Sequence, residues 1–239
     1  MIETAKPRRS GIGAAVLGGM VGAAAMAAIM LLAAPQLVGS RIVRAGILSD
    51  PQVLIDGSDA LRDRQYAPVL SANRAAIETP FGTSWKGASK PDVTLVEFYD
   101  YACAYCKASN PDIDRLLKED RGLRVVYREL PILGPESVAA ARMSLAASKA
   151  GRFAQFHDAL WAAGKPAPQT VTAAARVAGL PANVAASPET EAEIQKNFQL
   201  AETLGATGTP LFVVGDRVMN SAVGYEALKK AVADARAKS

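Results

Sequence analysis

The two cysteines of this chain, Cys103 and Cys106, stand three residues apart. On a helix that spacing puts both side chains on one face, about 5–6 Å apart at the β-carbons. A disulfide needs about 4.4–6.8 Å between α-carbons, so the pair can close and reopen with little backbone movement. Cys103 falls where an expected strand gives way to an expected helix. The free N–H groups and the positive end of the helix dipole favour an anion there. A cysteine so placed has its pKa lowered from about 8.5 to roughly 3.5–7.5, which makes it a nucleophile and a good leaving group at neutral pH. Cys106, one turn further in, suits the resolution of a mixed disulfide. Other uses of two thiols compete with this one. A static disulfide would close a four-residue loop and constrain the unfolded chain little. A structural zinc site needs about four ligands, and the chain has two Cys and one His. Two soft thiolates also suit Cu(I).

The elements that must hold the pair are legible around it. Val93–Tyr99 is a nearly continuous apolar and β-branched run, as a strand buried on both faces should be. Asp100–Lys107 turns that strand into a helix reaching about Lys118, and Leu123–Arg128 reads as a second strand. Strand, helix, strand implies a parallel crossover. Helices follow at 137–150, 152–163, 169–178 and 188–204, punctuated by Gly and Pro, and make a helical stretch over about 136–204. Leu211–Val214 and Val218–Val223 read as a hairpin around Gly215-Asp216. A final amphipathic helix spans 225–237. Residues 41–78 read as two helices: Asp50-Pro51 starts the first, and Tyr66-Ala67-Pro68 divides it from a second carrying Val69, Leu70, Ala76 and Ile77. Residues 82–91, rich in Gly, Ser, Lys and Pro, read as a link that holds Trp85.

Three stretches together carry a resemblance: Val96–Lys107 (VEFYDYACAYCK), Tyr127–Gly134 (YRELPILG) and Thr207–Val213 (TGTPLFV). In this order they resemble the DsbA-like branch of the thioredoxin superfamily, and within it the ScsC-type proteins. The match covers about 90–239. It implies an α/β, thioredoxin-like fold with an inserted helical domain, preceded by an N-terminal helical extension and a transmembrane helix. Carried over by position, Cys103 is the attacking thiolate and Cys106 the resolving thiol. Glu97 matches a buried carboxylate near the resolving cysteine, with a proton-relay role. Thr209-Pro210 matches a cis-proline loop that offers backbone groups to a bound peptide. Ala104-Tyr105 departs from the residues relatives often carry there. Tyr105 beside Thr209, both expected to contact substrate, leans toward the isomerase and reductase members over dedicated oxidases. The extension at 41–78 resembles the segment by which some ScsC-type members trimerise, which implies a homo-oligomer.

Composition and charge bound the rest. Half of the 239 residues are hydrophobic, 21% are charged and 6% aromatic, which excludes a disordered chain and a disulfide-stapled miniature. Half of the formal net charge of +4 lies in residues 1–10, where Lys6, Arg8 and Arg9 outweigh Glu3. The body after residue 40 is close to neutral, so nothing suggests nucleic acid. From Gly11 to Ala34 no side chain is polar. That stretch is long enough to cross a bilayer, for which about 20 apolar residues suffice, and the basic flank should stay cytoplasmic. We read 11–34 as a retained single-pass inner-membrane anchor with the domain in the periplasm; a cleaved signal ending near Val38-Gly39-Ser40, leaving a soluble periplasmic domain, is the alternative. The expected partners are exported cysteine-containing proteins and a membrane or periplasmic redox protein that resets the pair. Neither a cofactor nor a metal is expected. His157, the sole histidine, reads as a packing residue of an amphipathic helix. The expected function is thiol–disulfide exchange with exported proteins, leaning to isomerase or reductase. A dedicated oxidase and a copper-tolerance protein using the same thiols remain the alternatives.

Overall fold

The computed structural model describes residues 39–182 and 186–238. The basic segment 1–10 and the apolar stretch 11–34 lie outside the described residues. Among those described, no helix is long and apolar enough to cross a membrane. The chain divides into two compact units at Asp59 and Ala60.

The first unit carries α1 (Gly39–Ser49) and the start of α2 (Gln52–Glu78). The break between them falls at Asp50-Pro51, where Asp50 Oδ1 accepts from the N–H of Gln52 at 3.1 Å as an N-terminal cap. Ile42, Val43, Leu48, Val53, Leu54 and Ile55 are all more than half exposed. The expected division at Pro68 does not occur: α2 runs through it unbroken. A proline inside a helix costs about 3 kcal/mol and leaves the carbonyl four residues back unbonded. Here Arg64 and Pro68 are both on the exposed side, so water can serve that carbonyl. Leu70 and Ile77, buried on the opposite side, anchor the helix beyond it.

The second unit is built on a five-stranded sheet in the order β1-β3-β2-β4-β5. Its strands are β1 (Trp85–Gly87), β2 (Val93–Tyr99), β3 (Leu123–Glu129), β4 (Leu211–Val214) and β5 (Arg217–Met219). Between them come α3 (Ala104–Glu119), then α4 (Pro135–Lys149), α5 (Phe153–Ala163), α6 (Pro168–Val177) and α7 (Pro188–Thr203), and at the end α8 (Tyr225–Lys238). β2 and β3 are parallel with α3 crossing between them, while the other pairs are antiparallel. The helical stretch expected at 136–204 is thus α4–α7, inserted between β3 and β4.

One expectation fails at the edge of the sheet. Part of the link at 82–91 is strand: Trp85–Gly87 pairs antiparallel with Val126–Arg124. Three residues show too little alternation to signal a strand, and the pairing is supplied by β3. Arg124, whose guanidinium lies 4.7 Å from the Trp85 ring centroid, also donates to the carbonyls of Ala88 and Ser89 and fixes the exit of the link.

The central strand β2 is buried on both faces, as its composition requires. On one side Leu95 and Tyr99 join Ile113 and Leu116 of α3, Phe156 and Leu160 of α5, and Leu228 and Val232 of α8. On the other, Val96 and Phe98 pack with Leu70 and Ile77 of α2 and Leu200 and Ala201 of α7. The strand ends at Tyr99, and Cys103 follows four residues later, at the edge of this three-layer stack.

Candidate active site

β2 stops at Tyr99 because Asp100 diverts the chain. One oxygen of its buried carboxyl accepts from the N–H of Ala102 at 2.7 Å, and its backbone carbonyl accepts from Cys103 at 2.9 Å. This local loop satisfies the backbone without strand pairing. The other carboxyl oxygen accepts from the N–H groups of Ile132 and Leu133, at 2.8 and 2.9 Å. One side chain thereby ties the turn before the cysteines to the loop after β3. Asp100 carried no weight in the sequence reading. An aspartate closing a strand is a turn signal, but its second set of partners lies 32 residues away and is invisible locally.

Cys103 occupies the N-cap of α3 in extended conformation, with φ −77° and ψ 117°. Its Sγ accepts from the N–H of Cys106 at 3.4 Å and donates to the Thr209 carbonyl at 3.2 Å. As a thiolate, the same sulfur would keep the first contact and face the unpaired N–H groups of the first helical turn. The Thr209-Pro210 bond is cis, and it is this loop that brings a carbonyl to the nucleophile. Both cysteines are free thiols. Cys106 is wholly buried, while Cys103 keeps a small exposed edge of 6%. Burial, and after it the nearby Glu97 carboxyl, push the Cys106 thiol well above the ordinary range. A substrate sulfur can therefore reach Cys103 and not Cys106.

Tyr105 projects into solvent, 69% exposed. Ile132 and Leu133, on the loop that Asp100 pins, are also exposed. These apolar side chains border the cysteine turn. Sequence reading singled out Tyr105 and missed Ile132 and Leu133, which read only as part of a loop motif.

Glu97 sits in the middle of β2, 1% exposed, so the alternative of an edge-facing glutamate is excluded. Neither carboxyl oxygen has a hydrogen-bond partner among the described residues. Burial first, and the charge of Cys103 second, raise its pKa well above the carboxylate range, against an opposing pull from Lys86. Glu97 accordingly holds its proton in the folded protein at pH values where the unfolded chain has lost it. A raised folded pKa means that stability falls as pH climbs above the unfolded value and stops falling only beyond the folded one. Glu97→Met, which removes an unsatisfied buried acid at similar volume, should therefore stabilise the protein by about 1–3 kcal/mol at pH 7. The gain should shrink toward pH 4. Urea unfolding at the two pH values measures both, and a variant less stable than wild type at pH 7 would contradict the assignment.

His157 is fully enclosed, between Tyr101 and Trp161, in keeping with a packing role. Among the described residues no group of three or more His, Cys, Asp and Glu is gathered as a metal site.

Known proteins share this fold. The pattern of the DSBA-like thioredoxin domain family matches residues 94–233. A thioredoxin-like oxidoreductase from Silicibacter pomeroyi is 38% identical, covering 69% of this chain and 98% of its own at a TM-score of 0.64. A periplasmic thioredoxin-like protein from Salmonella enterica is 29% identical, with 69% and 95% covered and a TM-score of 0.64. ScsC of Proteus mirabilis, in a transitional conformation, is 25% identical over 87% of this chain and 99% of its own, at a TM-score of 0.66. The sodium/proton antiporter NhaA 1 of Salinispora arenicola is 30% identical over 157 residues, 63% of this chain. The chain spans about a quarter of the length of the curated relatives it matches.

Proposed function

The chain belongs to the DSBA-like thioredoxin domain family, and on that premise we propose that it exchanges disulfides with cysteine-containing exported proteins through Cys103 and Cys106. The observation that carries the reading is the asymmetry of the pair. Cys103 Sγ is held at a helix N-cap against the Thr209 carbonyl, and Cys106 lies buried one turn behind it.

In the reducing direction, the Cys103 thiolate attacks a substrate disulfide. A Cys103–substrate disulfide forms, the substrate S–S bond breaks, and one substrate sulfur leaves as thiolate. Cys106 then attacks Cys103 Sγ: its proton is released, the Cys103–Cys106 disulfide forms and the second substrate sulfur departs. Glu97, whose nearby carboxyl is among the groups that raise Cys106, is the group assigned to relay that proton, accepting it once its own has been passed on. The Thr209–Pro210 loop, Tyr105, Ile132 and Leu133 give a substrate segment backbone groups and apolar cover. In oxidation the same steps run backward, and an external redox protein resets the pair in either direction.

Tyr105 in the CxxC motif, with Thr209 ahead of the cis-proline, supports an isomerase or reductase over a dedicated oxidase. The apolar segment 11–34 behind its basic flank supports a membrane-anchored domain facing the periplasm, where the Salmonella relative's description also places that protein. The exposed apolar residues of α1 and early α2 support self-association, with a trimer as the form expected.

The test is a trap. Cys106→Ala should form mixed disulfides with exported proteins through Cys103, stable to electrophoresis without reductant and absent from Cys103→Ala/Cys106→Ala. No adduct with any thiol protein would refute exchange. Alkylation of the wild-type pair in cells reads direction: mainly reduced agrees with isomerase or reductase, and mainly oxidised overturns that part.

A further inference from the structure

A second buried acid lies on the sheet face that holds Glu97, and the exchange steps do not use it. In the register of β2 and β3, Glu97 stands opposite Tyr127 and Tyr99 opposite Glu129. Side chains two apart on a strand share a face, so Glu97 and Glu129 project to the same side. Glu129 is 2% exposed, and its carboxyl accepts from the Tyr99 hydroxyl. The Tyr99 oxygen lies 3.0 Å from that of Tyr101, which lies 3.1 Å from His157 Nδ1. Trp161 Nε1 donates to His157 Nε2 at 3.2 Å.

The inventory of donors orients the chain. An indole N–H only donates, so Nε2 of His157 carries a lone pair. Burial, aided by Lys86, holds the imidazole neutral by pushing its pKa well below the usual value. Nδ1 then bears the hydrogen and donates to Tyr101, an assignment from partners. Tyr101 passes its own hydrogen to Tyr99 or to Ser144 Oγ, 3.1 Å away. With Glu129 ionised, a run of hydrogen bonds can point one way, from Trp161 to the carboxylate. Its middle member, Tyr101, sits in the turn two residues before Cys103. Its outer end reaches a small polar pocket of about 150 Å³ between Lys86, Asp114, His157 and Trp161.

We propose that Glu129 is a positioning residue for thiol–disulfide exchange: bonded to Tyr99 on the sheet face it shares with Glu97, it changes its charge, and that charge governs whether Glu97 is free to take the proton of Cys106. The inference rests on the exchange function proposed above. When Glu129 loses its proton, the added negative charge holds the proton on Glu97 more firmly; Glu129 is among the groups that raise Glu97. Burial pushes Glu129 up to about 8, against hydrogen bonds from Ser144 and Tyr99 and with the charge of Asp100. Its charge thus changes in the range where thiols react. The groups that act on it or feel its charge are Glu97 and Tyr99 of β2, Asp100 and Tyr101 of the turn and Ser144 of α4. Lys86 of β1 is engaged with Asp158 and, at 4.0 Å, with Asp114. Arg128 beside it is turned to Glu193 of α7.

The test uses the whole chain and two readouts. Infrared titration follows the carbonyl stretch of protonated carboxyls; a band lost around pH 8 is expected in wild type and in Cys103→Ser/Cys106→Ser, and should be missing from Glu129→Gln. The ratio of exchange rates at pH 9 and pH 7, on a disulfide-bonded probe peptide, should differ by about threefold to tenfold between wild type and Glu129→Gln. Tyr99→Phe keeps the carboxyl and removes a bond that lowers its pKa, so the band should vanish at higher pH. A band that persists in Glu129→Gln, a midpoint unmoved in Tyr99→Phe, or coincident rate ratios would overturn the proposal. Wild type lacking exchange at every pH would instead refute the function, with the infrared band still reporting on Glu129.

Discussion

Cys103→Ser is expected to slow disulfide exchange by at least about a thousandfold, to the level of the uncatalysed reaction. The substitution keeps the shape of the N-cap. A serine oxygen can still accept from the N–H of Cys106 and face Thr209, so the fold should be untouched. What disappears is a sulfur able to form and release an S–S bond. Cys106 cannot replace it, because it is wholly buried and burial holds its thiol protonated. Cys106→Ser should behave differently. Cys103 should react with a small chromogenic disulfide within about threefold of the wild-type rate, since Cys103 keeps its cap and its contact with Thr209. The mixed disulfide should then persist, because its resolving sulfur is gone. Stopped-flow measurement of the first step, beside steady-state turnover on a protein disulfide, separates the two losses. Equal loss of the first step in both variants would remove the division of labour between the cysteines.

The division was readable from sequence because both of its causes are local. The run Val93–Tyr99 predicts a buried strand, the spacing of the cysteines predicts one helical turn, and the strand must end where the helix begins. The helices α4–α7 were readable for the same reason, since glycines and prolines mark their ends. Pro68 misled because a helix interior rejects proline only when nothing else secures the helix, and Leu70 and Ile77 secure it through contacts far along the chain. Trp85–Gly87 has no strand signal of its own and is strand by virtue of β3. Glu97 drew attention only through resemblance: a glutamate in an apolar strand does not reveal from spacing which face it takes, or that it will lack a partner. Asp100, Glu129 and Arg128 depend on groups 30 or more residues away. Their chemistry comes from the meeting of β2, β3 and the helices, which periodicity does not report.

Arg128→Ala is expected to lower stability by about 3–5 kcal/mol, the cost of removing one member of a buried ionic network. For a chain of this size the melting temperature should drop by roughly 6–20 °C. The guanidinium is 2% exposed. Nε donates to the Ile77 carbonyl at 2.7 Å, and one terminal nitrogen donates to Glu193 and Asn197, at 2.9 and 2.8 Å. The other donates to the carbonyls of Thr79, at 2.7 Å, and Ala76. These three carbonyls end α2, which has no other cation in its last turn, so a buried positive charge there meets both unpaired acceptors and the negative pole of the helix. Alanine would leave the buried Glu193 with only Lys196, at 3.6 Å, as a partner. Lysine keeps the charge and should recover less than half of the loss, since one ammonium cannot span five acceptors divided between the end of α2 and α7. Asn197 extends the network by donating to the Glu129 carbonyl at 3.1 Å, next to the loop that Asp100 binds. If the network also steadies that loop, Arg128→Ala at a temperature where it remains folded should raise KM for a protein disulfide while leaving the reaction of Cys103 with a small disulfide intact. Thermal unfolding and the two rate measurements decide it. A melting temperature within 2 °C of wild type, or a loss confined to the small-disulfide step, would show that α2 is held by its apolar face alone and that the guanidinium is incidental.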